Sequence, residues 1–311
     1  MTRYRGPIVA VIVAVAIAFC TKSAPPHATP NPPNTFSFAA LGDAPYYWWE
    51  DLRYRILLRE LDATDLGFIL HVGDIWWHPC SDAMYARTLR DFNTRRVPVF
   101  YTPGDNEWTD CWEPGSGGYA PLERLEHIRQ VFFAAPTRVP VVRQREYLEN
   151  ARWQDQGVVF ATFDLPGSKN AMAPFPKRTP ADDLAAKRRT EAAAAWLRET
   201  FASAANAPII VIAFHANPGF EAPRTDDYRS AYEPFLTAME EEAARFAKPV
   251  LVVQGDDHKY LTDHPILRLP NLTRLQVPGS PLVGWVRVFV TPARPSPFAF
   301  EQHLVPRTKY W

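Results

Sequence analysis

An α/β fold carried by one sizeable domain is predicted by three features of the sequence. Short apolar runs rich in β-branched and aromatic residues alternate with longer amphipathic stretches, the pattern of strands joined by crossover helices. Four such runs lead into a Gly-Asp pair, at Gly42-Asp43, Gly73-Asp74, Gly104-Asp105 and Gly255-Asp256. The 311 residues, 47% of them hydrophobic, can bury a full core, and no linker divides the middle of the chain.

Taken in order, Arg3 and Arg5 precede an apolar run over 8–19. This charged-then-apolar pattern reads as a secretory signal, assigned to 1–22. Cleavage after Ala16-Ile17-Ala18, lipidation at Cys20 and an uncleaved anchor all stay open. The protein is therefore expected outside the cytoplasm, periplasmic or extracellular, with the membrane as a partner only through an N-terminal anchor. Residues 23–35, with Pro25, Pro26, Pro30, Pro32 and Pro33, read as a Pro-rich tether, and the folded domain is assigned to 36–311.

Strands are predicted over 35–41, 67–72, 97–101, 158–163, 209–214 and 250–254. Helices are predicted over 50–63, 82–94, 121–133, 181–204 and 228–246. From residue 272 the pattern becomes strand, Pro/Gly turn, strand, which predicts an antiparallel region closing the domain. Beyond the signal only Cys80 and Cys111 remain, and in an oxidising compartment two thiols are expected to be bridged.

Lys and Arg number 34, as do Asp and Glu, which argues against nucleic-acid binding by bulk charge and toward a small-molecule partner. Composition alone would give about one Gly-Asp pair. Ligands in open α/β sheets collect at the C-terminal strand ends, and a fifth predicted strand, 209–214, ends in His215. Four carboxylates gathered at one edge repel each other, and divalent cations relieve that repulsion most completely. Mixed Asp and His donors suit Mn, Fe or Zn better than Ca or Mg. Glycine before each aspartate is expected to let the backbone turn sharply and to leave room for a ligand.

These residues resemble the calcineurin-like metallophosphoesterases, whose motifs are Asp-x-His, Gly-Asp, Gly-Asn-His, a lone His and Gly-His-x-His, each at a strand end. The corresponding stretches are Asp43-Ala44-Pro45, Gly73-Asp74, Gly104-Asp105-Asn106-Glu107, His215 and Gly255-Asp256-Asp257-His258. The resemblance spans 36–304. It implies a four-layer α/β/β/α sandwich of two mixed sheets flanked by helices, with two metal ions held by Asp43, Asp74, Asp105, His215, Asp256 and His258. Asp74 would bridge the pair. It also implies hydrolysis of phosphomonoesters or phosphodiesters by a metal-bound hydroxide.

Departures from the pattern are specific. Pro45 stands where the family has a metal-binding histidine, Asp105 replaces its asparagine, Asp256 replaces a histidine, and Asn106 replaces the catalytic histidine. Pro45 cannot ligate, so a neighbour such as Tyr46, Tyr47 or His78 would have to complete that position. An amide has no usable proton for the leaving group, so a substitute acid is expected at Glu107, ahead of His78. The alternative is a binding protein on the same fold that has lost its chemistry. A third class, a carbohydrate hydrolase with paired carboxylates, requires its acids to flank an open groove rather than converge. His71 is expected to be a core histidine. The aromatic residues Trp76, Trp77, Trp108 and Trp112 are expected either to wall a substrate ring or to cover the metals.

Overall fold

In the computed structural model, which describes residues 35–307, two mixed sheets pack face to face between layers of helices. The predicted signal and the tether up to residue 34 lie outside the described residues. The first sheet has the order β12-β11-β1-β2-β3, with β1 (Phe36–Leu41), β2 (Ile69–His71) and β3 (Val99–Tyr101) parallel. Along its far side β11 (Gly284–Val290) and β12 (Phe298–Leu304) run antiparallel. The second sheet has the order β4-β5-β6-β7-β8-β10-β9. Its centre is the parallel set β6 (Val158–Thr162), β7 (Ile210–Ala213), β8 (Val250–Gln254) and β10 (Leu272–Gln276). The antiparallel strands β4 (Val142–Arg143) and β5 (Ala151–Asp155) lie at one margin, and β9 (Leu261–Asp263) at the other.

Burial on both faces explains why these strands read as continuous apolar runs rather than alternating ones. In β1, Phe38 and Ala40 face the second sheet and join Phe68, Leu70, Trp153, Phe160, Val211 and Leu251 in the inter-sheet core. Ala39 and Leu41 face outward against Tyr54, Leu57, Leu58 and Leu61 of helix α1 (Asp51–Ala63). On the second sheet Ile210, Ile212, Val250 and Val252 face helices α5 (Pro180–Ser203) and α7 (Glu233–Phe246), meeting Ala193, Leu197, Phe235 and Met239. Helices α2 (Asp82–Asn93) and α3 (Pro121–Ile128) follow β2 and β3. The four-layer α/β/β/α sandwich expected from the sequence is therefore the architecture observed.

Several elements differ from the sequence reading. The expected helix over 121–133 is α3 followed by a π-helical turn, Arg129–Phe133, whose Arg129 guanidinium forms a fork on Glu149 at 2.7 and 2.9 Å. The expected helix over 228–246 is two, α6 (Asp227–Ser230) and α7, because Pro234 restarts the helix in the first turn, where its missing N–H is not needed. Strand β10, expected in an antiparallel region, pairs antiparallel with β9 but parallel with β8, because the chain reverses twice between β8 and β10. A short turn, α4 (Gly167–Ala171), is left-handed, with φ of 47, 55 and 54° at Ser168, Lys169 and Asn170. Among the described residues no helix is long and apolar enough to cross a membrane.

Cys80 and Cys111 are joined in a disulfide with Cα atoms 5.7 Å apart, as expected. It ties the loop after β2 to the 3-10 turn Thr109–Trp112 after β3. The bridge spans a sequence separation of 31 residues, and closing a loop of that length is worth about 3 to 4 kcal/mol in the chain-entropy picture. Replacing both cysteines by serine is expected to lower the melting temperature by roughly 10 °C. Thermal melts of the two proteins, both non-reduced, check this, and unchanged melting would show that the bridge restrains nothing in the unfolded chain.

Candidate metal centre

The parallel strands of both sheets end on the same edge, and the chemistry is delivered there. Strands β1, β2 and β3 run into Asp43, Asp74 and Asp105, while β7 and β8 run into His215 and Asp256. Backbone bonds lock the strand ends together within each sheet, Asp43 N to Gly73 O at 3.0 Å and Gly255 N to His215 O at 2.9 Å. Two further bonds cross between sheets. The amide of Asp256 donates to Asp43 Oδ1 at 2.9 Å, and His215 Nδ1 lies 2.8 Å from Val72 O. A carbonyl only accepts, so Nδ1 carries a proton, and in the neutral ring that a metal requires the lone pair is on Nε2.

Nε2 points into a ring of carboxylates. His215 Nε2 lies 3.0 Å from Asp105 Oδ1, 3.4 Å from Asp74 Oδ1 and 3.7 Å from Asp256 Oδ1. It is fully buried, yet none of these contacts has hydrogen-bond geometry. Donor atoms of Asp43, Asp74 and His215 lie within 4.8 Å of one another, as do those of Asp105, His215 and Asp256. Asp43 Oδ2 is also buried without a hydrogen bond. His258 Nε2 sits 3.9 Å from Asp43 Oδ1, and its Nδ1 is oriented by Ser280 O at 2.7 Å. The structure thus brings together all six residues expected as ligands. Their donor set of hard oxygens and imidazole nitrogens, with buried donors lacking partners, fits divalent metal ions.

Electrostatics without a cation are correspondingly strained. Burial, opposed by His215, pushes Asp43 up to about 8. Burial likewise raises Asp256 to about 6 and holds Asp74 well above its ordinary value. Burial acts to lower His215, but the carboxylates of Asp74, Asp105 and Asp43 outweigh it and hold the imidazole well above its usual range. For Asp105 burial acts upward, and the contact with His215 reverses it to a net lowering. The backbone is strained too. Asp43, Asp74, Asp256 and His258 have φ of 53, 59, 76 and 59°, a region costing on the order of 1 to 3 kcal/mol per non-glycine residue.

Of the two purposes expected of the glycines, leaving room is the one they chiefly serve. The aspartates make most of the sharp turns themselves, and the glycines clear space for ligands from neighbouring strands. A Cβ on Gly104 would lie 2.0 Å from Asp74 Oδ1, and one on Gly255 would lie 2.4 Å from Asp43 Oδ2.

Of the two residues expected in catalytic roles, Asn106 lines the cavity over the ligands, together with Tyr46, Trp77, Asp110, Glu113 and Ser116. This cavity measures about 190 Å³. Asn106 Nδ2 makes no hydrogen bond, and its backbone amide donates to Asp74 Oδ1 at 3.1 Å. Glu107 does not face the cavity. Its carboxylate turns beneath the loops and accepts from the amides of Gly104 at 2.7 Å, Asp74 at 2.9 Å and Ile75. Adjacent residues leave the backbone in different directions here, so Glu107 holds the β2 and β3 loops in register instead of meeting a substrate.

His78 bonds Ser116 Oγ at 2.6 Å and Tyr47 stacks on Trp49 at 4.3 Å, so neither completes the ligand set. His71 is buried among Phe92 and Tyr101, as expected, and burial lowers it to about 3. Of the four tryptophans only Trp77 borders the cavity. Trp108 is buried under Arg189, Trp112 stacks on Phe175 and Trp76 lies beneath Arg87.

Three residues at the site had no signal in the sequence. Asp110 lines the cavity from the 3-10 turn, and burial raises it to about 6. Ser168 Oγ, on the left-handed turn, donates to Asp110 Oδ1 at 2.7 Å and Asp105 Oδ2 at 3.1 Å. Gly167 closes that turn over the ligands, where a Cβ would lie 2.7 Å from both Asp105 and Asp256 carboxylates. Asn170 anchors the turn through Nδ2 to Thr190 Oγ1 at 2.6 Å and Ala231 O at 2.8 Å.

No protein-family model matches the chain, and no curated protein is similar to it in sequence. Among solved structures, a phosphatase from Mycoplasma pneumoniae superposes with a TM-score of 0.47 at 10% identity, over 89% of this chain and 96% of its own.

The raised carboxylates set the sign of the pH dependence. Between its ordinary 3.8 and about 8, Asp43 keeps in the folded metal-free protein a proton that the unfolded chain has lost. Asp256 does the same up to about 6, and the raised His215 acts in the same sense. Asp105, held low, opposes them only on the acid side, and His71 and His258, lowered by burial, oppose them in part below the ordinary histidine value of 6.5. Metal-free protein should therefore melt higher near pH 5 than near pH 8, whereas the added stability from metal should grow with pH because the ligands must be deprotonated. Melts in EDTA and in excess Mn²⁺ across that range check both slopes, and a metal-free protein that is most stable near pH 8 would contradict the assignment.

Proposed function

We propose that this protein is a metal-dependent phosphoesterase of the calcineurin-like type, acting on a small-molecule phosphoester outside the cytoplasm. The observation that supports it is the convergence of Asp43, Asp74, Asp105, His215, Asp256 and His258 on one buried point from two different sheets. A carbohydrate hydrolase would hold its carboxylates apart across a groove. In this reading two ions bind, one held by Asp43, Asp74 and His258 and the other by Asp74, Asp105, His215 and Asp256. Asp74 would serve both, its Oδ1 facing His215 and its Oδ2 facing Tyr46. When bound, the ions lower the pKa of a water and neutralise phosphate oxygens.

The chain's own residues narrow the substrate. Asp110 and Glu113 border the cavity, and among the described residues no Lys or Arg does. Repulsion from these carboxylates penalises a dianionic monoester more than a monoanionic diester, so a phosphodiester is the preferred substrate. Asn106 offers an amide where a general acid would stand, so the chemistry suits good leaving groups. Export is supported by the apolar segment over 8–19 and by the Cys80–Cys111 disulfide. Neither nucleic acid nor a membrane is proposed as the substrate surface.

Hydrolysis of aryl phosphate diesters and monoesters by the purified protein, with and without Mn, Fe or Zn, tests the reading. Turnover should require metal, favour the diester in kcat/KM, and disappear in Asp74→Asn. Absence of turnover with every metal would favour the binding-protein alternative. A second expectation concerns the leaving group. Asn106→His should raise kcat on alkyl esters by about 10² to 10⁴, the usual worth of a general acid, and change kcat on nitrophenyl esters little. Equal gains on both would show that the position acts on binding rather than on proton transfer.

A further inference from the structure

We propose that the phenol oxygen of Tyr46 is itself a metal ligand, completing the ion position of Asp43, Asp74 and His258 that Pro45 leaves one donor short. The inference rests on the metal reading above and is independent of which substrate, if any, is turned over.

Tyr46 is three residues past Asp43 and only 6% exposed. Its hydroxyl contacts Asp74 Oδ2 and lies 2.9 Å from His258 Nε2. Both atoms belong to the first ion's expected donor set. Neighbouring donors around a small cation with bond lengths of about 2.0 to 2.2 Å lie roughly 3 Å apart, which is the spacing Tyr46 keeps from His258. The ring stands edge-on to His258, with centroids 4.7 Å apart at 88°, and edge-on to Trp77 at 5.6 Å. Its direction is fixed from behind by a buried relay. Tyr46 N donates to Glu50 Oε2 at 2.9 Å, and Glu50 Oε1 accepts from Ser280 Oγ at 2.8 Å. Ser280 O in turn orients His258. Glu50, fully buried, thereby sets the tyrosine and the histidine relative to one another, as a pair of ligands requires.

A different arrangement would have the hydroxyl stand in the ion's place as a neutral stopper, leaving one ion in the site. A stopper would also bond to Asp43, the third donor of that position. Asp43 Oδ2 is instead buried without a hydrogen bond, so the tyrosine belongs to the ring of donors and not to its centre.

Metal content by mass spectrometry and visible absorption of the Fe³⁺-loaded full chain test the proposal. Wild type should hold two equivalents and show a phenolate-to-iron charge-transfer band. Tyr46→Phe should hold one equivalent and lose the band while keeping the melting temperature of the metal-free protein. Resonance Raman excitation within the wild-type band should enhance tyrosine ring modes, which keeps the test decisive if the variant fails to fold. A wild type with one equivalent and no band, or a folded variant with two equivalents and an intact band, overturns the assignment. Two ions and the band without phosphoester turnover would uphold it while removing the hydrolase reading, and a wild type that binds no metal overturns both.

Discussion

Mutual repulsion among buried carboxylates, held together where the ends of two sheets meet, is the constraint around which this molecule is arranged. Asp43, Asp74, Asp105 and Asp256 lie close enough to share the neighbourhood of one imidazole. Two of them, from strand ends in the first sheet, also reach the second, Asp43 accepting from the amide of Asp256 and Asp105 lying 3.0 Å from His215 Nε2. A hydrophobic core between the sheets would tolerate many small shifts, but a ring of charges does not, because removing its water makes every misplacement costly.

Much of the surrounding structure answers that constraint. Gly104 and Gly255 give up their side chains so that carboxylates from neighbouring strands can pass. Asp43, Asp74 and Asp256 accept a left-handed backbone that turns their oxygens inward. Glu107 gathers three amides from the β2 and β3 loops, and Glu50 gathers Tyr46 and Ser280 behind the other side. Above the ligands the disulfide holds the loop of β2 to that of β3, and Gly167 brings a left-handed turn down onto Asp105 and Asp256. Each device fixes one direction in which a ligand would otherwise relax away from its neighbours.

The parts of the fold that were legible in the sequence are those encoded by local repetition. Parallel strands buried on both faces appear as apolar runs, so β1, β7 and β8 were readable to within a residue or two. The hairpin of β5 and β6 was only half visible. Its turn is Gln156-Gly157, with φ of 47 and 80°, and glutamine is not a residue that announces a left-handed turn position. The break between α6 and α7 lay in Pro234, which can either end a helix or begin one. The left-handed turn at 167–171 had no signature at all, since Ser168, Lys169 and Asn170 adopt that conformation only because Arg189, Thr190 and Tyr232 hold Asn170 in place.

By itself the sequence determined which donors would meet. A strand's direction decides where its last residue emerges, so Asp43, Asp74, Asp105, His215 and Asp256, each just beyond a parallel strand, were bound for one edge. Only the tertiary structure decided what the remaining side chains do there. Glu107 and Asp110 are both acids close after Asp105, yet one turns under the loops to bind amides and the other lines the cavity. Tyr46 and Tyr47 are neighbours, yet one reaches Asp74 and His258 while the other stacks on Trp49 outside. Outside regular strands no periodicity links a residue's position in the chain to the direction of its side chain, so contacts from distant segments make that choice.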